Sequence, residues 1–155
     1  MKDLGWLQAH AGSRQEWGMF RPMRRAAFFD LTHPERPPNE DVAIRDALED
    51  HRAKGDLVVL VVDAHRRLPE RMSTEGTLLR LPPSATCDMD KCTTVVEAMT
   101  RLCIDPVSCF GYGDLCAGTG LLSVVGNPRV IACSADSSRL AQERGWPVIM
   151  PPSSV

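Results

Sequence analysis

The sequence predicts a three-layer α/β domain built on a doubly wound parallel sheet, and three observations carry that expectation. Apolar runs with no polar alternation recur, most clearly at residues 26–32 and at Leu57–Val62. Such runs belong to strands covered on both faces. Between them lie stretches whose apolar residues return at helical spacing, and strands alternating with helices in this way pair in parallel. The whole chain has 155 residues, enough for one domain with a real core.

The first run, Ala-Ala-Phe-Phe-Asp-Leu-Thr, follows an Arg-rich lead-in (Arg21, Arg24, Arg25) and ends in a carboxylate. A Pro-rich tract at 34–38 stops it. In an open α/β sheet the carboxyl ends of the strands face the binding crevice, so Asp30 is expected there. The plainer alternative is that Asp30 caps the turn after the strand. Asn39 then reads as a helix N-cap, with Glu40 and Asp41 suiting the positive helix end. Ile44, Ala47, Leu48 and His51 share one face, and Gly55 closes the helix.

Leu57–Val62 is the clearest strand, and it runs into the charged turn Asp63-Ala64-His65-Arg66-Arg67. Further strands are expected at 77–81, 108–112, 130–133 and 147–150. Residues 82–92 read as a loop and Thr93 as the cap of a helix whose face is Val95, Ala98, Met99 and Leu102. A short helix is expected at 121–124 and another at 137–144, stopped by Gly145. Residues 1–25, with Trp6, Leu7, Trp17 and Phe20, read as a docking segment ahead of a core domain at 26–155.

Twenty acidic against eighteen basic residues leave a net charge of −2, so no basic face points to nucleic acid or to an anionic membrane. No apolar run approaches a bilayer span, and residues 1–20 lack the continuous apolar stretch of a signal peptide. The six cysteines all fall in the second half, none in a Cys-x-x-Cys spacing. They read as reduced thiols, and the expected location is cytoplasmic.

The glycines of Asp114-Leu115-Cys116-Ala117-Gly118-Thr119-Gly120 fit two motifs. One is the Gly-rich cofactor loop of an S-adenosylmethionine-dependent methyltransferase, with Asp136 as the ribose ligand. Length excludes it, because only 35 residues follow Gly120. The other match spans the chain. Phe28-Phe29-Asp30-Leu31, His51-Arg52-Ala53-Lys54-Gly55 before a Val-rich strand, Val96-Glu97-Ala98-Met99 and Gly111-Tyr112-Gly113-Asp114 come in order. Val125-Gly126-Asn127-Pro128 and Glu143-Arg144-Gly145-Trp146-Pro147-Val148 complete the series. Together they resemble the haloacid dehalogenase (HAD) superfamily, and the tail is similar to its phosphoserine-phosphatase-like branch.

The resemblance implies a fold and a chemistry. Asp30 would attack a phosphoryl group to form an aspartyl-phosphate that water then hydrolyses, splitting one hard displacement into two easier ones. Magnesium would be held by Asp30, the Thr32 carbonyl and Asp114, offsetting repulsion between carboxylate and anionic substrate. Thr32 and Lys91 would complete the catalytic set. Asp63, His65 and Arg66, following the second strand, would be the candidates for contact with the phosphate or another anion. A solvated helix start is the plain alternative for His65, Arg66 and Arg67.

The motifs also depart from the family's pattern. Thr32 stands where a general-acid aspartate is expected, and Val62 and Asp63 replace a phosphate-binding Ser or Thr. The third-motif lysine aligns near Val95, with Lys91 the nearest basic residue, and Gly118 replaces an acid. Only about twenty residues separate Thr32 from His51, too few for the usual cap domain. An open crevice then calls for cover by a homodimer partner or a heteromeric one. The expected function is a magnesium-dependent hydrolase acting on a phosphorylated or anionic molecule. The alternatives are a degenerate homologue that binds a partner or ligand, and repurposed chemistry at the same crevice.

Overall fold

The computed structural model describes residues 24–32, 38–65, 76–85, 87–115, 119–132 and 135–149. The expectations for residues 1–23, for Arg66 and Arg67, and for Gly118 and Cys133 lie outside them. The elements are β1 (Ala26–Asp30), α1 (Pro38–Ala53), β2 (Leu57–Val62), β3 (Thr77–Arg80), α2 (Asp88–Arg101), β4 (Phe110–Gly113), β5 (Asn127–Ile131), α3 (Ala135–Arg144) and β6 (Val148–Ile149). All pairings are parallel, in the order β3-β2-β1-β4-β5-β6. The doubly wound sheet that the alternation predicts is therefore present.

β1 lies at the centre, between β2 and β4. Its side chains alternate between two cores, as a period of two dictates. Ala26 and Phe28 join Val59, Val61, Val95 and Met99 on the α2 side. Ala27, Phe29 and Leu31 join Ile44, Leu48, Leu60 and Tyr112 on the α1 side. Phe28 and Phe29 are both fully buried, each worth roughly 1.5–3 kcal/mol of transfer free energy. This two-sided burial is why the run shows no polar alternation.

The boundaries differ from expectation in four instructive places. α2 begins at Asp88 rather than Thr93, because Asp88 and Asp90 occupy its positive first turn. Thr93 sits inside the helix, its hydroxyl donating to the Met89 carbonyl at 3.0 Å. β5 starts at Asn127 and so includes Pro128. β6 pairs only with Val130 and Ile131, so the Pro128 end of β5 has an open side where a missing N–H costs nothing. Residues 121–124 form hydrogen-bonded turns, not a helix, although Leu121 and Leu122 are buried. α1 starts at Pro38, which puts Asn39 inside the first turn instead of at the cap.

Candidate active site at the carboxyl end of the sheet

Because β1 is parallel to its neighbours, Asp30 ends it at the same edge of the sheet where Val62, Arg80 and Gly113 end theirs. Two steps along from Phe28, Asp30 shares the α2 face of the strand. Lys91 comes to meet it. Lys91 is in the first turn of α2, and the spacing Lys91, Val95, Met99 makes one buried stripe down the helix. The lysine therefore points inward for the same reason the valine and methionine do. The sequence placed Lys91 on a loop; the earlier helix start corrects that and explains the burial.

The contacts are short. Lys91 Nζ donates to Asp30 Oδ2 at 2.8 Å and to Thr32 Oγ1 at 3.0 Å. The Thr32 main-chain N–H and hydroxyl both donate to Asp30 Oδ1, at 3.0 and 2.6 Å. Asp30, Thr32 and Lys91 are all buried, and so is Asp114, the residue that follows the neighbouring strand β4. A carboxylate this deep is tolerable because an ammonium and two hydrogen-bond donors meet it. Gly113 makes room: a Cβ there would lie 3.1 Å from Asp30 Cβ, a distance that forces the neighbour to move.

Beyond Asp114 the glycine-containing loop returns to the start of α2. Asp88 Oδ2 accepts from Thr119 N at 2.9 Å, and a Cβ at Gly120 would fall 2.6 Å from the Asp88 carbonyl oxygen. Gly120 thus serves close packing against the helix that carries Lys91. Asp63 and His65, the expected anion contacts after β2, are exposed on the turn leaving the sheet. Neither lies in the Asp30–Thr32–Lys91 triad, and among the described residues the Asp63 carboxylate makes no ion pair.

Magnesium keeps most of its water and takes one or two protein carboxylates along with substrate oxygens. Asp30 and Asp114, at the ends of adjacent strands, are the two acids such an ion would use, and Asp30 would have to share its oxygens with Lys91 and Thr32. Among the described residues no group of three or more His, Cys, Asp or Glu side chains could hold a metal. A site closed entirely by protein side chains is therefore not present among them.

No protein-family model matches the chain, and no curated protein matches it. Solved structures do. A protein of unknown function from Bordetella pertussis Tohama I aligns with a TM-score of 0.61 at 16% identity, covering 83% of this chain and 99% of its own. A candidate HAD family hydrolase from Streptomyces avermitilis MA-4680 aligns with a TM-score of 0.50 at 14% identity, covering 75% of this chain and 71% of its own. At these identities the likeness is one of fold: the chain shares a parallel α/β architecture with both proteins. Among the described residues no helix is long and apolar enough to cross a membrane.

Proposed function

We propose that this chain is a HAD-type hydrolase of phosphorylated compounds in which Asp30 is the nucleophile. One observation carries the reading: a buried lysine ammonium sits 2.8 Å from a buried carboxylate at the carboxyl end of the central strand. Asp30 Oδ attacks phosphorus as the bond to the leaving oxygen breaks, giving an aspartyl-phosphate and the alcohol. Water then attacks phosphorus, inorganic phosphate departs, and the carboxylate returns. Lys91 orients Asp30 and offsets charge on the phosphoryl oxygens. Asp30, Asp114 and the Thr32 carbonyl would hold magnesium, which supplies further charge neutralisation when bound.

Thr32 sets the limit of this chemistry. A hydroxyl is a far weaker acid than a carboxyl, so the leaving group receives little help in taking its proton. Substrates whose leaving group is already stable, such as aryl phosphates, are favoured. Replacing Thr32 with Asp should raise turnover, since general acid catalysis typically contributes ~10²–10⁴-fold. Asp30→Asn should abolish turnover while keeping side-chain shape. Magnesium binding is checked separately by calorimetry on wild type and on Asp114→Asn. Background hydrolysis only, with no gain from Thr32→Asp and no magnesium binding at millimolar concentration, would overturn the proposal.

A second reading rests on the tightness of the triad. Thr32 and Lys91 together occupy both Asp30 oxygens, an arrangement that also suits a rigid, non-catalytic crevice used to bind a ligand or partner. On that reading Asp30→Asn leaves binding intact and changes only stability. Light scattering that finds a homodimer or a heteromeric complex would support the assembly expected for an open crevice.

A further inference from the structure

Beside the triad, at the carboxyl ends of β2 and β3, lies a cavity of about 450 Å³ lined by Asp63, Ala64, His65, Leu81, Pro82, Pro83 and Ala85. It is within the size range of small-ligand pockets, roughly 300–1,000 Å³. Asp30 is in register with Val61, and the Leu81 N–H donates to the Val62 carbonyl at 2.9 Å. The cavity therefore begins one to two strand spacings from Asp30, within roughly 10 Å.

We infer that this cavity is a subsite for a cationic, apolar amine, and that it selects substrates whose leaving group carries one. Its assignment to the leaving group rests on the hydrolase reading above; the amine preference does not. Three features point to the chemistry. Leu81, Pro82, Pro83, Ala64 and Ala85 give mostly apolar walls, and proline faces pack well against a flat ring. Asp63 is the one acid among the described lining residues, and among the described residues its carboxylate makes no ion pair. Among the described residues Arg80 reaches this turn through the backbone: Nη1 donates to the Asp63 and Ala64 carbonyls at 3.3 Å each. That contact braces the turn that carries Asp63 at the cavity wall.

Electrostatics supports the same class. A carboxylate at this position repels a second phosphate or a carboxylated leaving group, and it attracts an ammonium. Asp63 biases this end of the crevice against a second anionic group, as in nucleoside diphosphates and sugar bisphosphates. A zwitterionic phosphomonoester satisfies both ends at once, its phosphoryl group at Asp30 and Lys91 and its ammonium at Asp63. His65, exposed on the rim, adds a polar edge without competing for the amine charge while neutral.

The test separates the subsite from the chemistry. Phenethylamine is titrated by NMR into wild type, Asp63→Asn and Asp30→Asn, with 2-phenylethanol as the neutral control. Saturable amine binding is expected in wild type and in Asp30→Asn, at least tenfold weaker in Asp63→Asn, and weaker for the alcohol than for the amine. No saturation, equal binding by alcohol and amine, or an unchanged Asp63→Asn would overturn the inference. Asp63 is exposed and makes no ion pair among the described residues, so its replacement should leave the melting temperature alone, and that is checked first. In turnover assays 4-(2-aminoethyl)phenyl phosphate should exceed 4-ethylphenyl phosphate by about tenfold in kcat/KM, and Asp63→Asn should erase the preference. If neither ester is hydrolysed while amine binding still depends on Asp63, the hydrolase reading fails and the subsite stands.

Discussion

Two buried polar clusters lie at opposite ends of the sheet and are built from similar parts. At the carboxyl end, Asp30 meets Lys91 and Thr32. At the amino end, His51 from the last turn of α1 lies between Asp56, just ahead of β2, and Tyr112 of β4. His51 Nδ1 is 2.8 Å from Asp56 Oδ2, and Nε2 is 2.7 Å from Tyr112 Oη. The consistent assignment has Nδ1–H donating to the carboxylate and the tyrosine hydroxyl donating to Nε2. Aromatic rings seal this second cluster. Phe29 stacks on Tyr112 at 4.6 Å between centroids, and the Phe110 ring lies 4.8 Å from His51.

The difference between them is place, not composition. Parallel strands end at one edge, where the chain turns away and leaves side chains facing a crevice; they begin at the other, where the last turn of α1 brings His51 down onto Asp56 and Tyr112. Asp30 and Asp56 are both buried acids with a nitrogen partner at 2.8 Å. Each end has a cavity nearby, about 320 Å³ lined by Asp56 at the amino end and about 450 Å³ lined by Asp63 at the carboxyl end, and only the second opens at the edge where α/β sheets bind ligands. The Asp56 cluster ties α1 to β2 and β4, and Arg25 reaches its outer face at 3.4 Å. Buried titratable groups alone do not mark a site, and sheet polarity separates the candidates.

The comparison can be broken most sharply through Lys91. Lys91→Met leaves Asp30 buried without its ammonium, and removing one partner of a buried pair costs about 3–5 kcal/mol. The double variant Asp30→Asn/Lys91→Met should recover much of that loss, giving a large coupling energy in a double-mutant cycle. Urea denaturation of the four proteins measures it. Single and double variants of equal stability would show that Lys91 and Asp30 are not energetically paired.

His51→Phe is expected to cost somewhat less, about 2–4 kcal/mol, because it strands the Asp56 carboxylate and the Tyr112 hydroxyl. It should leave magnesium affinity and phenethylamine binding unchanged. A change in either would show that the two ends of the sheet communicate, and the division drawn between them would have to go. The measurement pairs chemical denaturation with calorimetry on the same sample.

How far the sequence reveals each region follows from how local its determinants are. β2 and α1 are legible because an unbroken valine run and a one-sided apolar face are signals carried within a dozen residues. Asp30 and Asp114 are legible for a related reason, each being an acid that closes a strand-like run. The α2 start is not, since Thr93 offers a better side-chain cap than Cys87, which makes no side-chain cap hydrogen bond. Reading the helix from Asp88 puts Lys91 on the Val95 stripe by simple counting, so that signal was present. Its pairing with Asp30 spans 61 residues and needs the tertiary fold. Pro128 hid the first half of β5, because whether a proline is tolerated depends on what lies on the strand's other side.

Alkaline unfolding offers the finest probe of the sealed end, with the smallest expected effect. Burial, with the Asp105 charge adding to it, pushes the Cys109 thiol at the start of β4 up from 9.0 to about 12. Burial also raises the Tyr112 hydroxyl above its usual 10.0, with Asp50 and Asp56 adding to the shift and Arg129 opposing it. Each group keeps its proton in the folded chain after the unfolded chain has lost it. Their contribution is therefore complete below pH 9 and is lost as pH rises toward 12, at up to about 1.4 kcal/mol per pH unit for each proton involved. Cys109→Ala should lower stability by a constant amount through lost packing, yet flatten the decline that begins near pH 9. Tyr112→Phe should flatten only the part above pH 10. Because a packing loss shifts the whole curve while a titration changes its slope, denaturation series at several pH values separate the two effects. An unchanged slope in Cys109→Ala would mean that its thiol titrates alike in both states, and the sealed end would then be open to water.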